Sequence, residues 1–404
     1  MKTSEFLSTV AQAIKDIQQG KMVIIIDDKS RENEGDFVIA AEKITPEAIN
    51  FMAKYGRGLI CMPMSASIVE RLGLKMMVSH NQSKQGTPFT VSIGARSGIS
   101  TGISAFDRAR TVQVAVAEGS TAADICSPGH IFPLQATEGG IFVRRGHTEA
   151  SVDLVCLAGL KPAAVVCEIM NEDGTMARLP ELQRIAAAEK LTLISVADIL
   201  KYRIANEKLV ECTAKANLPL KGYGNFEVRV FQHRFDSSEY IVLINDKYTN
   251  PELPPLVRIH SQCMTGDIFG SIRCDCRWQL EYSLEKIAAQ GGVLIYLNQE
   301  GRGIGLANKI KAYSLQEQGL DTVEANQSLG FSADQRDYHM AVQTLKALNL
   351  KKIRLLTNNP QKLEEIQSFG IEVVKREPVE SEPTEDNLRY LQTKREKLGH
   401  LLSY

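Results

Sequence analysis

The stretch SEFLSTVAQAIKDIQQGKMVIIIDDKSRENEGD (4–36) sets the architecture of the first half of the chain. Residues 4–19 are amphipathic and predict a helix, and the β-branched, apolar run 22–26 predicts a strand. The strand ends in a charged turn, residues 27–36. A helix and a strand in alternation along a chain indicate an α/β fold.

The same alternation continues outward through both halves, so the sequence predicts two α/β domains. In the first half, the further expected elements are strands 58–62, 89–93, 140–143 and 191–195 and a helix from Val196. In the second half, they are strands 226–231, 240–245, 292–297 and 353–357 and helices 305–318, 337–348 and 361–368.

Length and a polar, breaker-rich segment place the domain boundary near Ala205. The chain has 404 residues, more than one ordinary hydrophobic core accommodates, so two domains are expected. Residues 203–224 are polar and rich in Gly, Pro and Asn, which interrupt regular structure. We therefore assign residues 1–205 and 206–404 to the two domains. The tail from Pro378, which contains the string SEPTEDN, is expected to be a loosely held extension.

Composition restricts the class of partner. Apolar residues make up 44% of the chain and charged residues 24%, and the formal net charge is −1. This is the balance of a globular protein without the basic face that nucleic-acid binding requires. The first residues do not form a secretory signal, and no apolar run approaches the roughly 20 residues that span a bilayer. We expect a cytosolic protein with no nucleic-acid or membrane partner.

The charged turn 27–36 is the first candidate site. Seven of its ten residues are charged, a pattern typical both of a solvated turn and of a magnesium site built from one or two carboxylates. A second cluster, Arg144-Arg-Gly-His-Thr-Glu-Ala150, favours the site. Paired arginines recognise phosphate well, and His147 lies between them and a Thr–Glu pair.

Together these segments resemble 3,4-dihydroxy-2-butanone 4-phosphate synthase over about residues 4–203. The matching strings occur in order along the chain: DDKSRENEGD (27–36), GLICMP (58–63), TGISAFDRART (101–111), SPGHIFPL (127–134), GGIFVRRGHTEASVDL (139–154) and CEIMNEDGTMAR (167–178). Many separated matches in one order are a specific signal. The resemblance implies an α/β sandwich domain that binds ribulose 5-phosphate and uses Mg²⁺ or Mn²⁺.

The resemblance also implies roles for individual residues. Glu32 and His147 would hold the divalent cation, and His130 and Glu168 would be essential to the reaction. Ribulose 5-phosphate would contact Arg31, Glu32, Asp36, Arg144, Arg145, Gly146, His147, Thr148 and Glu168. Glu34, Asp107 and Cys61 are further candidates for proton transfer, although the sequence around Cys61 is equally typical of a buried structural thiol.

The second half contains three cysteines, Cys263, Cys274 and Cys276, with the spacing C-x₁₀-C-x-C. A structural zinc ribbon supplies four ligands as two CxxC pairs, whereas three protein ligands and an open position are typical of catalytic zinc. Cys212 or His260 could close the site as a fourth ligand. The ligand count favours a catalytic Zn²⁺ site.

Further motifs follow in the order found in GTP cyclohydrolase II, which residues 206–376 resemble. They are RIHSQCMTGD (258–267), NQEGRGIG (298–305), DTVEAN (321–326), LGFSADQRDY (329–338) and LTNNPQK (356–362). The resemblance implies a zinc-containing α/β domain with zinc on the three cysteines and GTP as substrate. GTP contacts would come from Arg258, Ile259, His260, Ser261, Gln262, Gln279, Glu300, Gly301, Arg302, Thr322, Thr357 and Lys362. Both resemblances imply a homodimer.

The same resemblance assigns chemical roles to three more residues. Tyr313 would assist at the purine, Asp334 would accept a proton, and Arg336 would be the nucleophile in diphosphate release. Because a guanidinium stays protonated in proteins, a phosphate clamp remains an open alternative for Arg336.

Four positions depart from the family patterns: Gly94, Gln135, Gln262 and Arg277. None of them is a predicted metal ligand. A chain with one active domain and one assembly scaffold is the alternative function, and the presence of both predicted metal sets favours two active domains.

Overall fold

Alternate residues of the strand 23–26 pack in two different hydrophobic cores, so its sheet lies between two layers of helices. The computed structural model describes residues 3–235, 238–245, 247, 253–332, 334–384 and 387–403, without the side chains of residues 3–8 and 389. In it, Val23 and Ile25 pack in one core, and Ile24 and Ile26 pack in the other. The chain divides into two units between Arg203 and Ile204.

The first unit is a mixed sheet with helices on both faces. Its strands are β1 (Val23–Ile26), β2 (Gly35–Ala40), β3 (Cys61–Met64), β4 (Ile93–Ala95), β5 (Ile125–Gln135), β6 (Ala164–Glu168) and β7 (Thr192–Ser195). Its helices are α1 (Thr3–Gln18), α2 (Pro46–Phe51), α3 (Ala66–Arg71), α4 (Ala105–Val116), α5 (His147–Leu157), α6 (Leu179–Glu189) and α7 (Val196–Asn206), the last of which crosses the division. Among the described residues the strand order is β4-β5-β3-β6-β2-β1-β7.

The two faces of this sheet carry different helices. Leu182 of α6 and Val112 of α4 pack in the core that contains Ile24. Leu154 of α5 packs in the core that contains Val23 and Ile25. The loop after β1 and the start of α5 therefore meet at an end of the sheet, and both predicted polar clusters lie there.

The second unit is also a mixed sheet with helices. Its strands are β8 (Val210–Leu220), β9 (Gly224–His233), β10 (Glu239–Asn245), β11 (Leu256–Ser261), β12 (Gly292–Leu297), β13 (Lys352–Leu356) and β14 (Glu372–Glu377). Its helices are α8 (Cys276–Gln290), α9 (Gly305–Glu317), α10 (Thr322–Ser328), α11 (His339–Ala347), α12 (Pro360–Ser368) and α13 (Leu388–Glu396). The described strands follow the order β14-β13-β11-β12-β10-β9-β8. The strands β11 to β14 pair in parallel and β8 to β10 antiparallel.

Two predicted strands of the first unit are wrong or displaced. Residues 140–143 do not form a strand. Gly140 has φ +62°, and the amide of Val143 donates to the carbonyl of Gly140 at 3.0 Å, which closes a 3₁₀ turn. The amide of Ile141 donates to the Asp153 carboxylate at 2.9 Å. Of the stretch 89–93, only Ile93 lies in β4. The remaining predicted elements of both units are present, with ends shifted by a few residues.

The stretch 203–224, predicted to be a polar connection, contains the strand β8. Most of its side chains are exposed because β8 lies at an edge of the sheet and pairs only with β9 among the described strands. A polar composition is therefore compatible with this strand. Periodicity could not reveal it, since most residues of the strand after Val210 are exposed.

The tail is not loosely held, and that prediction is wrong. Val379 and Leu391 are each 1% exposed, and the amide of Leu401 donates to the carbonyl of Asn358 at 2.8 Å. Ser381 and Asn387, at the two ends of the SEPTEDN string, are each 6% exposed, and the helix α13 follows. Within the described residues, no helix combines the length and apolar character needed to cross a bilayer.

Candidate active sites

The charged turn after β1 is organised around the buried carboxylate of Asp27. Its Oδ1 accepts a hydrogen bond from the amide of Glu34 at 2.9 Å. Its Oδ2 accepts from the amide of Glu32 at 3.1 Å and from Arg31 Nη1 at 2.9 Å. Asn33 takes the left-handed conformation, with φ +55°. This folded loop is therefore not a freely solvated turn.

His147, the first residue of α5, faces the folded loop. Its Nδ1 lies 3.7 Å from Glu32 Oε2 and 4.0 Å from Asp36 Oδ1. Ligand atoms of Asp27, Glu32 and His147 all lie within 4.8 Å of one another. Among the described residues, the buried Nε2 of His147 and Oδ1 of Asp36 have no hydrogen-bond partner. Two carboxylates and an imidazole with unsatisfied atoms fit a divalent cation.

The electrostatics of this cluster follow from its burial. Burial raises the pKa of Asp36 to about 7, and the neighbouring Glu168 and Glu32 carboxylates add to this rise. Burial lowers the pKa of His147, but Asp36, Glu32 and Asp27 outweigh it and bring the pKa to about 9. The cluster therefore concentrates negative charge that a cation would neutralise.

Glu168 ends β6 directly opposite Asp36 in the sheet. Its Oε2 accepts a hydrogen bond from the amide of Leu59 at 2.8 Å. A side chain at Gly58 would place Cβ 2.5 Å from that oxygen, so the backbone reaches the carboxylate only because residue 58 is glycine. Burial raises the pKa of the nearby Cys61 thiol, which keeps it protonated, as in a structural thiol.

The arginine cluster packs against the start of α5. Arg144 donates to Glu149 Oε2 at 2.6 Å and to the carbonyl of Gln85 at 3.2 Å. A Cβ at Gly146 would lie 2.6 Å from Arg144 Nη1 and 3.0 Å from Arg31 Nη2, so both guanidiniums rest on this glycine. No side chain caps α5 at Gly146, which leaves its first amides for an anion. Arg145 is exposed.

These groups line a cleft with an empty volume of about 520 Å³. The predicted residues in its wall are Arg31, Glu32, Glu34, Asp36, Cys61, Arg144, His147, Thr148 and Glu168. The structure does not bring His130 into this wall. His130 lies exposed on β5, where a Cβ at Gly102 would be 2.7 Å from its Nδ1. Asp107 binds the amide of Gly102 at 2.9 Å and shapes this loop.

In the second unit the three predicted thiols converge. Cys263 follows β11, while Cys274 and Cys276 flank Asp275 at the start of α8. The three Sγ atoms lie within 4.8 Å of one another, and Cys263 Sγ is 3.7 Å from Cys274 Sγ. A Cβ at Gly266 would be 3.0 Å from Cys274 Sγ, so a glycine lets the chain pass over the thiols. Three thiols at this spacing fit Zn²⁺.

Neither residue considered as a fourth ligand joins the thiols. Cys212 is exposed on β8. His260 is buried, and its Nε2 is 3.1 Å from the carboxylate of Asp267. Within the described part of the chain, the donor group around the thiols contains Cys263, Cys274 and Cys276 alone. The described donor set around the thiols therefore has three members, the number typical of catalytic zinc.

A lysine that the sequence reasoning missed contacts the thiol group. Lys309 Nζ donates to Cys263 Sγ at 3.0 Å and to Glu300 Oε1 at 2.7 Å. Hydrogen bonds from the other two thiols and from Lys309 hold the pKa of Cys263 well below the ordinary thiol value. Lys309 precedes Tyr313 by one turn of α9, and this spacing was the available signal. The Tyr313 hydroxyl lies 3.1 Å from Thr265 Oγ1.

Arg336 is held by Asp334 in a two-point ion pair. Its Nε donates to Asp334 Oδ1 at 2.9 Å, and its Nη2 donates to Oδ2. Burial lowers the pKa of Arg336, but Tyr338 and Asp334 outweigh it and hold the pKa above the ordinary guanidinium value. Asp334 therefore stabilises the charged form of Arg336, which favours the clamp over the nucleophile.

The turn after β13 adds a buried ammonium group. Asn359 caps α12 by accepting hydrogen bonds from the amides of Gln361 at 3.0 Å and Lys362 at 3.4 Å. Lys362 Nζ donates to the carbonyl of Ile259 at 2.8 Å and lies 4.8 Å from the centre of the Tyr338 ring. Burial lowers the pKa of Lys362, and the neighbouring cations lower it further. An anion in the cleft would relieve this repulsion.

The second cleft is larger, with an empty volume of about 1140 Å³. Predicted residues in its wall are Arg258, His260, Ser261, Gln262, Cys263, Cys274, Cys276, Gln279, Gly301, Arg302, Tyr313, Thr322, Arg336, Thr357 and Lys362. Ile259, Glu300 and Asp334 support the wall from behind through the contacts given above. The asparagines of the predicted anion-binding turn, Asn358 and Asn359, also lie in the wall. The wall residues that were not predicted are Arg273, Gln299, Ile304, Lys309, Ala312, Gln316, Asn326, Val379, Tyr390, Lys394 and His400.

Two family models match separate parts of the chain. The family model of 3,4-dihydroxy-2-butanone 4-phosphate synthase matches residues 11–202, and that of GTP cyclohydrolase II matches residues 211–378. Riboflavin biosynthesis protein RibBA of Aquifex aeolicus is 54% identical, with 98% of each chain covered. The RibBA of Bacillus mycoides is 51% identical, covering 98% of this chain and 99% of that protein.

A solved structure is also similar over most of the chain. It is RibBX of A. baumannii, described as a two-domain 3,4-dihydroxy-2-butanone 4-phosphate synthase. It has a TM-score of 0.70 and 34% identity, and the match covers 92% of this chain and 99% of that one. From the two family matches and the full-length relatives, the chain belongs to the RibBA family of bifunctional riboflavin biosynthesis proteins, with a 3,4-dihydroxy-2-butanone 4-phosphate synthase domain followed by a GTP cyclohydrolase II domain.

Proposed function

We propose that residues 1–205 convert ribulose 5-phosphate to 3,4-dihydroxy-2-butanone 4-phosphate and formate. We propose that residues 206–404 convert GTP to 2,5-diamino-6-(5-phospho-ribosylamino)pyrimidin-4(3H)-one, formate and diphosphate. The observation that carries this proposal is that each unit has its own cleft with its own metal-type donor cluster. One cluster offers oxygen and imidazole donors, and the other offers thiols.

In the first cleft, Asp27, Glu32 and His147 would hold Mg²⁺ or Mn²⁺, and Asp27 joins the predicted pair because its oxygens lie in the same cluster. When bound, the cation would stabilise the negative charge that develops on adjacent substrate oxygens. The sugar phosphate would be bound by the arginines and by the uncapped start of α5 at Gly146. The remaining residues proposed to bind this substrate are Arg31, Arg144, Arg145 and Thr148.

The reaction requires enolisation, dehydration, a skeletal rearrangement and the loss of C4 as formate, and each stage moves protons. Asp36 lies in the cleft wall, opposite Glu168 in the sheet, where its carboxylate is placed to exchange protons with a bound substrate. Glu168 is the cross-strand partner of Asp36, and a hydrogen bond from the Leu59 amide holds its carboxylate. We propose proton transfer by these carboxylates, together with His130 as the family resemblance implies.

In the second cleft, Cys263, Cys274 and Cys276 would hold Zn²⁺. When bound, zinc would lower the pKa of a coordinated water toward 7 and so supply hydroxide for attack on the purine. Hydrogen bonds from the Cys274 and Cys276 thiols, with a further one from Lys309, lower the pKa of Cys263, so this thiol is prepared for a metal. The guanidinium of Arg336 and the ammonium of Lys362 would bind the phosphates. The ion pair with Asp334 would fix the orientation of the Arg336 guanidinium for two-point binding.

The test is to supply purified protein with ribulose 5-phosphate and Mg²⁺ or with GTP, and to measure formate in each reaction. We expect formate from both substrates, with diphosphate only from GTP. A chelator added before GTP should stop the second reaction. Formate from one substrate alone, with the other cleft folded and metal-loaded, would instead favour one active domain and one scaffold.

We extend the proposal to a cytosolic homodimer, as both sequence resemblances imply. Sedimentation of the purified protein measures the oligomeric state. A single species of about 44.7 kDa, the mass of one chain, would contradict the dimer.

A further inference from the structure

The C-terminal helix α13 and the residues after it lie in the wall of the second cleft. Tyr390, Lys394 and His400 line this cleft, although the family model ends at residue 378. The amide of His400 donates to the carbonyl of Lys394 at 3.0 Å, which turns the chain after α13 back toward the site. The segment is therefore built into the wall.

Lys394 connects this segment to the thiols. Its Nζ donates to Asp275 Oδ1 at 2.6 Å, and the side chains of Lys394 and Asp275 are only 9% and 2% exposed. Asp275 lies between Cys274 and Cys276 and is the N-cap residue of α8. A buried carboxylate requires a paired charge and hydrogen bonds, and Lys394 provides the charge.

Asp275 continues the network to the substrate-binding wall. Its Oδ2 accepts a hydrogen bond from Gln279 Nε2 at 2.7 Å. The Gln279 Oε1 in turn accepts from Arg258 Nη2 at 2.6 Å, and Arg258 Nη1 donates to the carbonyl of Leu356 at 3.0 Å. Each polar side chain has its orientation fixed by the previous one. The network thus connects Lys394 of α13, through Asp275, to Gln279 and Arg258, which are both predicted GTP contacts. Asp275 is flanked in sequence by Cys274 and Cys276.

We propose that α13 belongs to the cyclohydrolase site and that its Lys394 is a positioning residue for Asp275. Its ammonium group fixes Asp275, and through Asp275 it fixes both the Cys274–Cys276 segment and the Gln279–Arg258 pair. This inference rests on the proposed GTP cyclohydrolase function for its kinetic consequence. Its structural consequence, the retention of zinc, does not depend on turnover.

The test compares full-length Lys394→Met, Lys394→Arg and Asp275→Asn variants with the double variant Lys394→Met/Asp275→Asn. Arg395→Gln is the matched control, because Arg395 lies on the same helix with an exposed guanidinium 3.4 Å from Glu396. Measurements are zinc retained against a chelator, kcat and KM for GTP, and formate from ribulose 5-phosphate. The last reports whether the first unit remains intact.

For Lys394→Met we expect at least a tenfold loss of kcat/KM for GTP, which is about 1.4 kcal/mol, mainly through KM. Zinc should be lost to the chelator several times faster. Lys394→Arg should recover most of both properties, and the double variant should resemble Asp275→Asn alone because the two residues act together. Arg395→Gln and the synthase reaction should stay within about twofold of wild type.

Normal zinc retention and normal KM in Lys394→Met would overturn the proposal. Fully additive losses in the double variant would also overturn it, because Lys394 would then act independently of Asp275. If Lys394→Met is insoluble, Lys394→Gln replaces it in the same cycle. If wild-type protein does not consume GTP, the proposed function fails, while zinc retention in the variants still decides the role of Lys394.

Discussion

Replacing Arg336 by lysine would show whether this residue forms a covalent bond or only binds phosphate. Arg336 reaches Asp334 through two parallel side-chain hydrogen bonds, one of 2.9 Å from Nε and one from Nη2. Lysine keeps the positive charge but forms only one such bond and lacks the planar fork. A hydrogen bond to a charged group contributes about 1.5–3 kcal/mol, so a clamp should lose about 10- to 100-fold in rate.

The assay is single-turnover release of diphosphate and formate from GTP. For a clamp, Arg336→Lys should release diphosphate slowly but measurably. Arg277→Lys is the matched control, because Arg277 pairs with Glu281 at 2.9 Å on the exposed side of α8, and exposed pairs contribute little. Diphosphate release at background level in Arg336→Lys, with normal zinc content and an unchanged fold, would refute the clamp and support a nucleophile.

Three further perturbations test the two sites. Separately produced fragments 1–205 and 206–404 should each keep their own reaction, and folded but inactive fragments would show that the assigned boundary or the independence of the units is wrong. His147→Ala should abolish formate release from ribulose 5-phosphate and spare GTP turnover, while Cys274→Ser should do the reverse and lower bound zinc; full zinc and normal GTP turnover in the latter would eliminate the zinc assignment. Gly58→Ala should destabilise the first unit by about 1–3 kcal/mol through overpacking, since its Cβ would lie 2.5 Å from a glutamate oxygen; an unchanged midpoint of thermal unfolding would contradict this contact.

The sequence predicted the features that depend on residues close together in the chain. The apolar run 22–26 and the spacing of the three cysteines each encode a local arrangement, and both are present. The edge strand β8 could not be predicted, because most of its residues after Val210 are exposed and leave no apolar periodicity. The same applies to Asp27, whose buried role depends on a loop closing over it.

The network from Lys394 to Asp275 was invisible for a different reason. The two residues are 119 positions apart, and although Asp275 lies inside the C-x-C spacing, Lys394 lies in no motif that marks a site. A lysine on a polar helix usually predicts a solvated face. Only the packing of α13 removes this lysine from water. Sequence motifs therefore identified the reacting groups better than the residues that hold them in place.

The position of α13 in the chain has a consequence for protein synthesis. Domains fold as units in the order in which they are made, so the first unit can fold while the second is still being translated. Tyr390, Lys394 and His400 follow the strands and thiols of the second unit in the chain, and its cleft wall cannot be complete until they have left the ribosome. A ribosome that stops before Lys394 would release a chain with a complete synthase cleft and an unfinished cyclohydrolase cleft.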